Sequence, residues 1–261
     1  MHTTALIVIL ATALVSISGC ASVPQSASVA NEQTAESRLW DDVNTLTTTY
    51  SDRNANNRGV LNDSGMWIAS RFAEYGYAVD LEPVPTTQGQ TAFNVFTQIT
   101  GTVYPDEIIV LGAHYDAEVN TPGADDNASG VAVLIELARR FADSPQQRTI
   151  RFIAYTNEEN SSSRDGRSAP GTSPSTHPNN NGMGSYFSAK NSKDRNENIV
   201  AMISLEMLGF FSDEPNSQTY PFPRAMGEQL GMTLPTTGNF VGIVGRTADT
   251  PLIMQLAQSM T

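Results

Sequence analysis

The stretch Gly112–Gly130, GAHYDAEVNTPGADDNASG, decides how this chain is read. It leaves the run EIIVLGA (Glu107–Ala113), carries His114, Asp116, Asp125 and Asp126, and enters a helical pattern. A run that stays apolar after its first residue is what an interior strand covered on both faces requires. From Asn127 to Ala142, residues Val131, Leu134, Ile135, Ala138 and Phe141 recur on one helical face. Glu136 and Arg140 are placed for an exposed i,i+4 pair. The stretch is therefore a strand-to-helix connection. Two readings stay open at this point. Asp126 and Asn127 cap the helix, since both residue types are favoured there; or His114 and the acids form half of a metal site.

Strands are predicted over Tyr77–Val84, Ala92–Ile99 and Thr149–Tyr155, within Asn198–Leu208, and near Asn239–Gly245. A helix over Ala35–Tyr50 carries Leu39, Val43 and Leu46 at helical spacing. A second starts at a cap among Asn62, Asp63 and Ser64, presents Ile68, Phe72 and Tyr75, and ends at Gly76. A third has Asp249 or Thr250 as cap and Pro251 in its first turn, with Leu252, Leu256 and Met260 on one face. It meets no terminating residue before Thr261, so the natural protein is expected to continue. Alternating strands and helices predict an α/β fold: a three-layer sandwich whose mixed, largely parallel central sheet is flanked by helices.

With 261 residues, 39% of them hydrophobic, the chain can bury one sizeable core, assigned to a single domain over 38–261. A net charge of -12 argues against nucleic acid as partner, which needs clustered Lys and Arg. Ala5–Ile17 is apolar but short for a bilayer span, and it ends in ISGC, Ile17–Cys20. That tetrapeptide resembles the lipobox of bacterial lipoproteins, although the preceding MHTT lacks Lys and Arg. Residues 1–20 are read as a leader and 21–37 as a tether. A lipid anchor on Cys20 is expected to hold the protein at the bacterial cell envelope, with Ala21 pointing to the outer membrane. Cys20 is the only cysteine, so an intramolecular disulfide and a Cys-based zinc site are both excluded. Residues 160–182 are rich in Ser, Asn, Gly and Pro and read as an insert, either a flap over a site or a plain surface loop.

In open α/β sheets ligands bind beyond the carboxyl ends of the strands. Three strand ends here carry acid or imidazole groups: His114 and Asp116, then Glu158 and Glu159, then Glu206, with Asp125 and Asp126 just before the strongest helix. Each has a plain structural alternative: an H-x-D on a surface loop, a solvated acid pair, a capping Asp. Glu206 is harder to explain away, because an acid directly after an apolar strand is costly to bury unless paired or metal-bound. Together they point to one divalent-cation site, with zinc favoured by a His among carboxylates.

At these residues a resemblance becomes specific. GAHYDAE, PGADDNASGVAVLIELAR, FIAYTNEE, GMGSYFSAK and MISLEMLGFF, in this order, are similar to the co-catalytic di-zinc exopeptidases. Bacterial leucyl aminopeptidases belong to that family, and glutamate carboxypeptidases and glutaminyl cyclases are relatives; the similarity runs over about Gly59–Gly245. The resemblance implies Asp126 as a ligand bridging two zinc ions, His114 and Glu206 on one ion, and Glu159 on the other. It implies Asp116 behind His114, Glu158 as general base to a metal-bound water, and a cis peptide after Asp126. It also implies a second His near the end of the domain. The three histidines are His2, His114 and His177, and His177 lies in the insert. One ion thus keeps three protein ligands and the other only Asp126 and Glu159, so the chain is expected to bind at most one zinc tightly and to hydrolyse peptides poorly. The implied function is a metal-dependent exopeptidase, foremost an aminopeptidase, with peptides as substrates. The alternatives are a glutaminyl cyclase-like acyltransferase and a non-catalytic envelope binding protein.

Overall fold

The structure, a computed structural model, describes residues 6–11, 33–85, 91–159, 183–220, 223–229 and 234–260. In chain order they form β1 (Leu6–Ala11), α1 (Ala35–Thr48), α2 (Arg58–Glu74), β2 (Asp80–Pro85), β3 (Thr91–Ile99), β4 (Tyr104–His114), α3 (Gly130–Phe141), β5 (Arg148–Tyr155), α4 (Gly184–Asp194), β6 (Asn198–Ser204), α5 (Arg224–Gln229), β7 (Val241–Arg246) and α6 (Thr250–Ser259). By their contacts the residues group into two compact units. One is Asn31–Gly209; the other joins Met1–Ala30 to Phe210–Thr261. Cys20, the body of the tether and the insert 160–182 with His177 lie outside the described residues.

The larger unit is built on a five-stranded sheet in the order β2-β3-β5-β4-β6. β5, β4 and β6 run parallel, while β2–β3 and β3–β5 pair antiparallel, so the sheet is mixed as expected. On one face, Leu46 of α1, Leu61, Ile68 and Phe72 of α2, and Val131, Leu134, Ile135 and Ala138 of α3 pack on Val95, Leu111, Ala113, Phe152 and Ala154. Each fully buried aliphatic side chain of this set contributes about 1.5–3 kcal/mol. On the other face, Ile108, Val110, Ile153 and Tyr155 pack with Phe96 and Ile199. There α4 lies over β2 and β3, and its Asn191 donates to Glu82 at 2.8 Å. Gly112 carries no side chain because the Tyr155 ring crosses it: a Cβ there would come within 2.4 Å.

Several local expectations change. The α2 helix begins at Arg58, with Asn57 at its cap position, so Asn62, Asp63 and Ser64 lie inside it. Leu61 is fully buried, and its packing outweighs the turn-forming tendency of the polar triplet. Gly76, with φ +83, follows the end of α2 as expected. Residues 35–37, which the sequence assigns both to the tether and to the predicted helix, belong to α1, so the helix reading holds; its start is capped by Thr34 accepting from the Ser37 amide at 3.1 Å.

In the smaller unit, β1 pairs antiparallel with β7, from Leu6 opposite Arg246 to Ala11 opposite Val241. This strand lies within the apolar run that the sequence assigns to the leader. The α6 helix buries Ile253 and Ala257, not the predicted Leu252–Leu256–Met260 face; Met260 is exposed. The Ile253 side chain fills the space above Gly245, where a Cβ would meet it at 2.6 Å. Among the described residues no helix is long and apolar enough to cross a membrane.

Glu136 also departs from expectation. It is buried, and besides Arg140 it accepts from Arg139 and, across 98 residues, from Arg38 at 2.9 and 3.0 Å. Hydrogen bonds from Arg139, then Arg38 and Arg140, outweigh burial and hold its carboxyl well below the ordinary 4.5. A depressed carboxyl stabilises the fold above its unfolded value, and that contribution fades as pH falls below about 4.5. Replacing Glu136 by Gln should cost about 1–2 kcal/mol at pH 7, allowing for the partly exposed arginines. In urea titrations the difference from wild type should shrink toward acid pH; a difference that stays constant with pH would show packing, not charge, to be its source.

Candidate metal centre

Parallel pairing aligns the ends of three strands. His114 closes β4 opposite Tyr155 at the end of β5, and Gly112 of β4 pairs with Ser204 at the end of β6. The chain beyond each end turns onto one rim. There the His114 imidazole, 4% exposed, places Nε2 3.0 Å from Asp126 Oδ1 and 3.3 Å from Glu206 Oε1. The two carboxylates are half-exposed, so the imidazole forms the floor and the acids form the walls. Two groups of donor atoms lie mutually within 4.8 Å: His114 with Asp126 and Glu206, and His114 with Glu158 and Glu159. All five acids and imidazoles proposed from the sequence as ligands or base thus meet at one place.

Asp116 is fully buried beneath them. Its Oδ1 accepts from the Glu158 amide and its Oδ2 from the Glu159 amide, each at 3.0 Å. His114 Nδ1 stands 3.5 Å from Asp116 Oδ1. Asp116 therefore holds the loop of the acid pair as well as facing the imidazole, a wider task than the sequence assigned to it. A second clamp acts on the same loop. Asn94 of β3 accepts from the Thr156 amide at 3.1 Å and donates to Gly184 O at 2.9 Å and Glu82 at 2.7 Å. A Cβ on Gly184 would fall 2.1 Å from Asn94 Oδ1, so α4 starts where only glycine fits.

The segment Ala124–Ser129 coils toward α3 but breaks at Asp126 and Asn127, and the peptide between them is cis, as the resemblance implied. Alternate residues here grip the Glu206 loop. Asp125 Oδ1 accepts from the Gly209 amide at 2.7 Å, and Ser129 Oγ accepts from the Leu208 amide at 2.9 Å. Asn127 Oδ1 accepts from the amides of Gly130 and Met207, at 3.1 and 3.2 Å. Its Nδ2 donates to Leu205 O and Glu206 Oε2, at 2.9 and 3.2 Å. The capping reading thus holds for Asn127. Asp125, which the sequence places beside Asp126 just before the strongest helix, is a strut of the loop that carries Glu206.

The electrostatics show how closely the charged groups are crowded. Burial raises the carboxyls of Asp126 and Glu158, and burial with the Asp126 and Glu158 charges lifts Glu159 to about 7. For His114 burial acts downward, but the neighbouring Asp116 and Glu206 carboxylates prevail and carry it up to about 11. Carboxylates crowded around one imidazole repel one another, and a cation held among them would relieve that repulsion. One nitrogen with several carboxylate oxygens suits a borderline divalent ion such as zinc, so the residues fit that ion. A neutral imidazole offers one lone pair. The two donor groups share His114, so they are one imidazole-bearing centre with an acidic extension.

Fold and site together define a class: an α/β chain with an imidazole–carboxylate cluster, able to hold a metal ion, at the carboxyl rim of its parallel strands. The sequence profile of peptidase family M28 matches residues 94–234, and the chain belongs to that family. It is 31% identical over 233 residues to the "Uncharacterized protein YfbL" of Escherichia coli (strain K12), covering 85% of this chain and 64% of that one. It is 28% identical over 181 residues to a "Probable zinc metalloprotease" of Pyrenophora tritici-repentis (strain Pt-1C-BFP), covering 62% of this chain and 33% of that one. Over 56 residues it is 46% identical to "Aminopeptidase YwaD" of Bacillus subtilis (strain 168), which is 22% of this chain and 12% of that one. The chain therefore spans less than two thirds of the length of these relatives. Among solved structures, LapB from Legionella pneumophila superposes with a TM-score of 0.53 at 27% identity, covering 69% of this chain and 45% of that one. Bacteroides thetaiotaomicron glutaminyl cyclase shares the fold, with a TM-score of 0.55 at 20% identity over 70% of this chain and 64% of that one.

Asp116→Asn tests the clamp. The substitution turns one acceptor into an N–H that faces a backbone N–H of the acid pair. The zinc dissociation constant should rise roughly 10–100-fold, measured by competition with a chromophoric chelator. An unchanged constant would detach Asp116 from the metal centre.

Proposed function

We propose that the chain is a zinc-dependent exopeptidase that removes amino-terminal residues from peptides. One observation carries this reading. A single buried imidazole faces Asp126 and Glu206 at hydrogen-bonding distances, while Glu158 and Glu159 stand on the same rim, their amides tied to Asp116. The family membership and the relative printed as an aminopeptidase support it. In this reading His114, Asp126 and Glu206 hold one zinc ion, and Glu159 with Asp126 extends the donor set. Bound zinc supplies a Lewis acid and lowers the pKa of a water. Glu158 takes and returns the proton. Burial raises its carboxyl, which brings its proton affinity closer to neutral pH, where a general base works best. The acidic rim attracts the cationic amino terminus of a peptide.

A second reading, an acyltransferase that cyclises amino-terminal glutamine, draws on one feature: both donor groups share a single imidazole, which suits one metal. Purified protein given zinc should release the first residue from a leucyl peptide and leave a glutaminyl peptide uncyclised. The reverse pattern would transfer the assignment to the cyclase. Glu158→Gln should lower release about 10²–10⁴-fold with zinc content unchanged; full activity in this variant would remove Glu158 as base. Attachment at the bacterial envelope through lipid on Cys20 belongs to the same reading and rests on the tetrapeptide Ile17–Cys20. Labelled palmitate should enter the wild-type chain in bacteria and not Cys20→Ser; equal labelling of both would refute the anchor.

A further inference from the structure

Among the described residues the largest fully buried side chain is a cation whose hydrogen bonds go to backbone carbonyls and not to a carboxylate. Arg53 is 0% exposed and follows α1 on the side of the loop that joins β4 to α3. Its guanidinium spends its donors on backbone carbonyls: Nε on Tyr115 at 2.7 Å, Nη1 on Leu46 at 2.9 Å and Pro122 at 2.7 Å, and Nη2 on Gly123 at 2.7 Å. Its own carbonyl accepts from the Ala117 amide at 3.0 Å. The loop is therefore gripped on both sides of Asp116, by Tyr115 O and Ala117 N, and again just before Asp126, by Pro122 O and Gly123 O. Gly123 has φ +56, and its carbonyl also accepts from the Ala128 amide at 3.0 Å. A Cβ there would lie 2.8 Å from Arg53 Nη2 and 2.5 Å from Asp126 O, so glycine is required where the guanidinium comes closest.

We propose that Arg53 is a positioning residue that assembles the loop from Tyr115 to Asp126 before metal arrives, so that zinc meets a preformed pair of His114 and Asp126. A planar fork with five donors can tie carbonyls on separate turns of a loop; an ammonium on a flexible stem cannot match that geometry. Burying a guanidinium is costly unless its donors are matched, and here the matches are the loop's own carbonyls. The Asp116 and Asp126 charges oppose the lowering by burial, which leaves Arg53 at about 10 and still a cation at neutral pH. The guanidinium thus offsets part of the acid cluster's charge from below without occupying a place among the donors.

The inference rests on the metal reading above, and its test separates the two. Hydrogen exchange on the full chain, metal-free and zinc-loaded, reads the amides of Ala117 and Ala128. Both should be protected equally in the two states, because Arg53 and not the metal orders the loop. Free exchange that slows only when zinc is added would overturn the proposal, and this arm needs no variant. In Arg53→Met the zinc dissociation constant should rise roughly 10–100-fold, and Arg53→Lys should recover only part of the loss. Leu61→Ala, a core truncation in α2, should lower thermal stability while keeping zinc affinity. Wild-type affinity in a folded Arg53→Met would also overturn the proposal. A wild-type chain that binds no zinc would refute the metal reading instead, with the exchange result still deciding the role of Arg53.

Discussion

Three parallel strands ending at one level are the constraint on which the rest depends. With β5, β4 and β6 in register, the residues just beyond each end share one rim. No single segment could bring an imidazole and four carboxylates together there, since neighbouring residues on a strand point to opposite faces. The fold solves this by taking one or two groups from each strand end. The supports then come from elsewhere: Asn94 from an antiparallel strand, Arg53 from the turn after α1, and the alternate residues Asp125, Asn127 and Ser129 from the approach to α3.

The supports differ from the groups they hold in a physically consistent way. Asp116, Asn127 and Arg53 are buried and well bonded, whereas Asp126 and Glu206 are half-exposed. Groups that must meet an ion and a substrate need solvent access. Groups that fix their geometry need a low-dielectric, fully satisfied setting, where each hydrogen bond is strong and an unmade one is expensive. The rim groups are nonetheless partly withdrawn from water, and that burial raises the carboxyls of Asp126, Glu158 and Glu159.

Much of this was legible in the sequence, and the limit has a clear origin. Periodicity located most of the strands and helices within a few residues, and the acids after apolar runs marked the rim, because both signals are local. The start of α2 was misplaced because a polar triplet reads as a cap until the burial of Leu61 is known. Glu136 was read as half of a surface pair because Arg38, its partner 98 residues away, leaves no trace near it. The α6 face was misread because the space above Gly245, not hydrophobicity alone, selects Ile253. The holding roles of Asp125 and Arg53 leave no sequence signal for the same reason: their partners are backbone atoms, most of them far along the chain, and a carbonyl or amide carries no residue identity in a sequence.

That last point also accounts for the chemistry of the supports. A side chain that binds another side chain can be matched by type, but one that binds backbone constrains only conformation. Arg53 ties carbonyls on the stretch between His114 and Asp126, and the comb of Asp125, Asn127 and Ser129 ties amides of the loop carrying Glu206. One set satisfies acceptors and the other satisfies donors, so both loops are fixed with their backbone groups matched despite lying outside regular structure. The positions of His114, Asp126 and Glu206 are then set by the chain itself, so that on the proposed reading a metal entering this rim would spend little of its binding energy on ordering them.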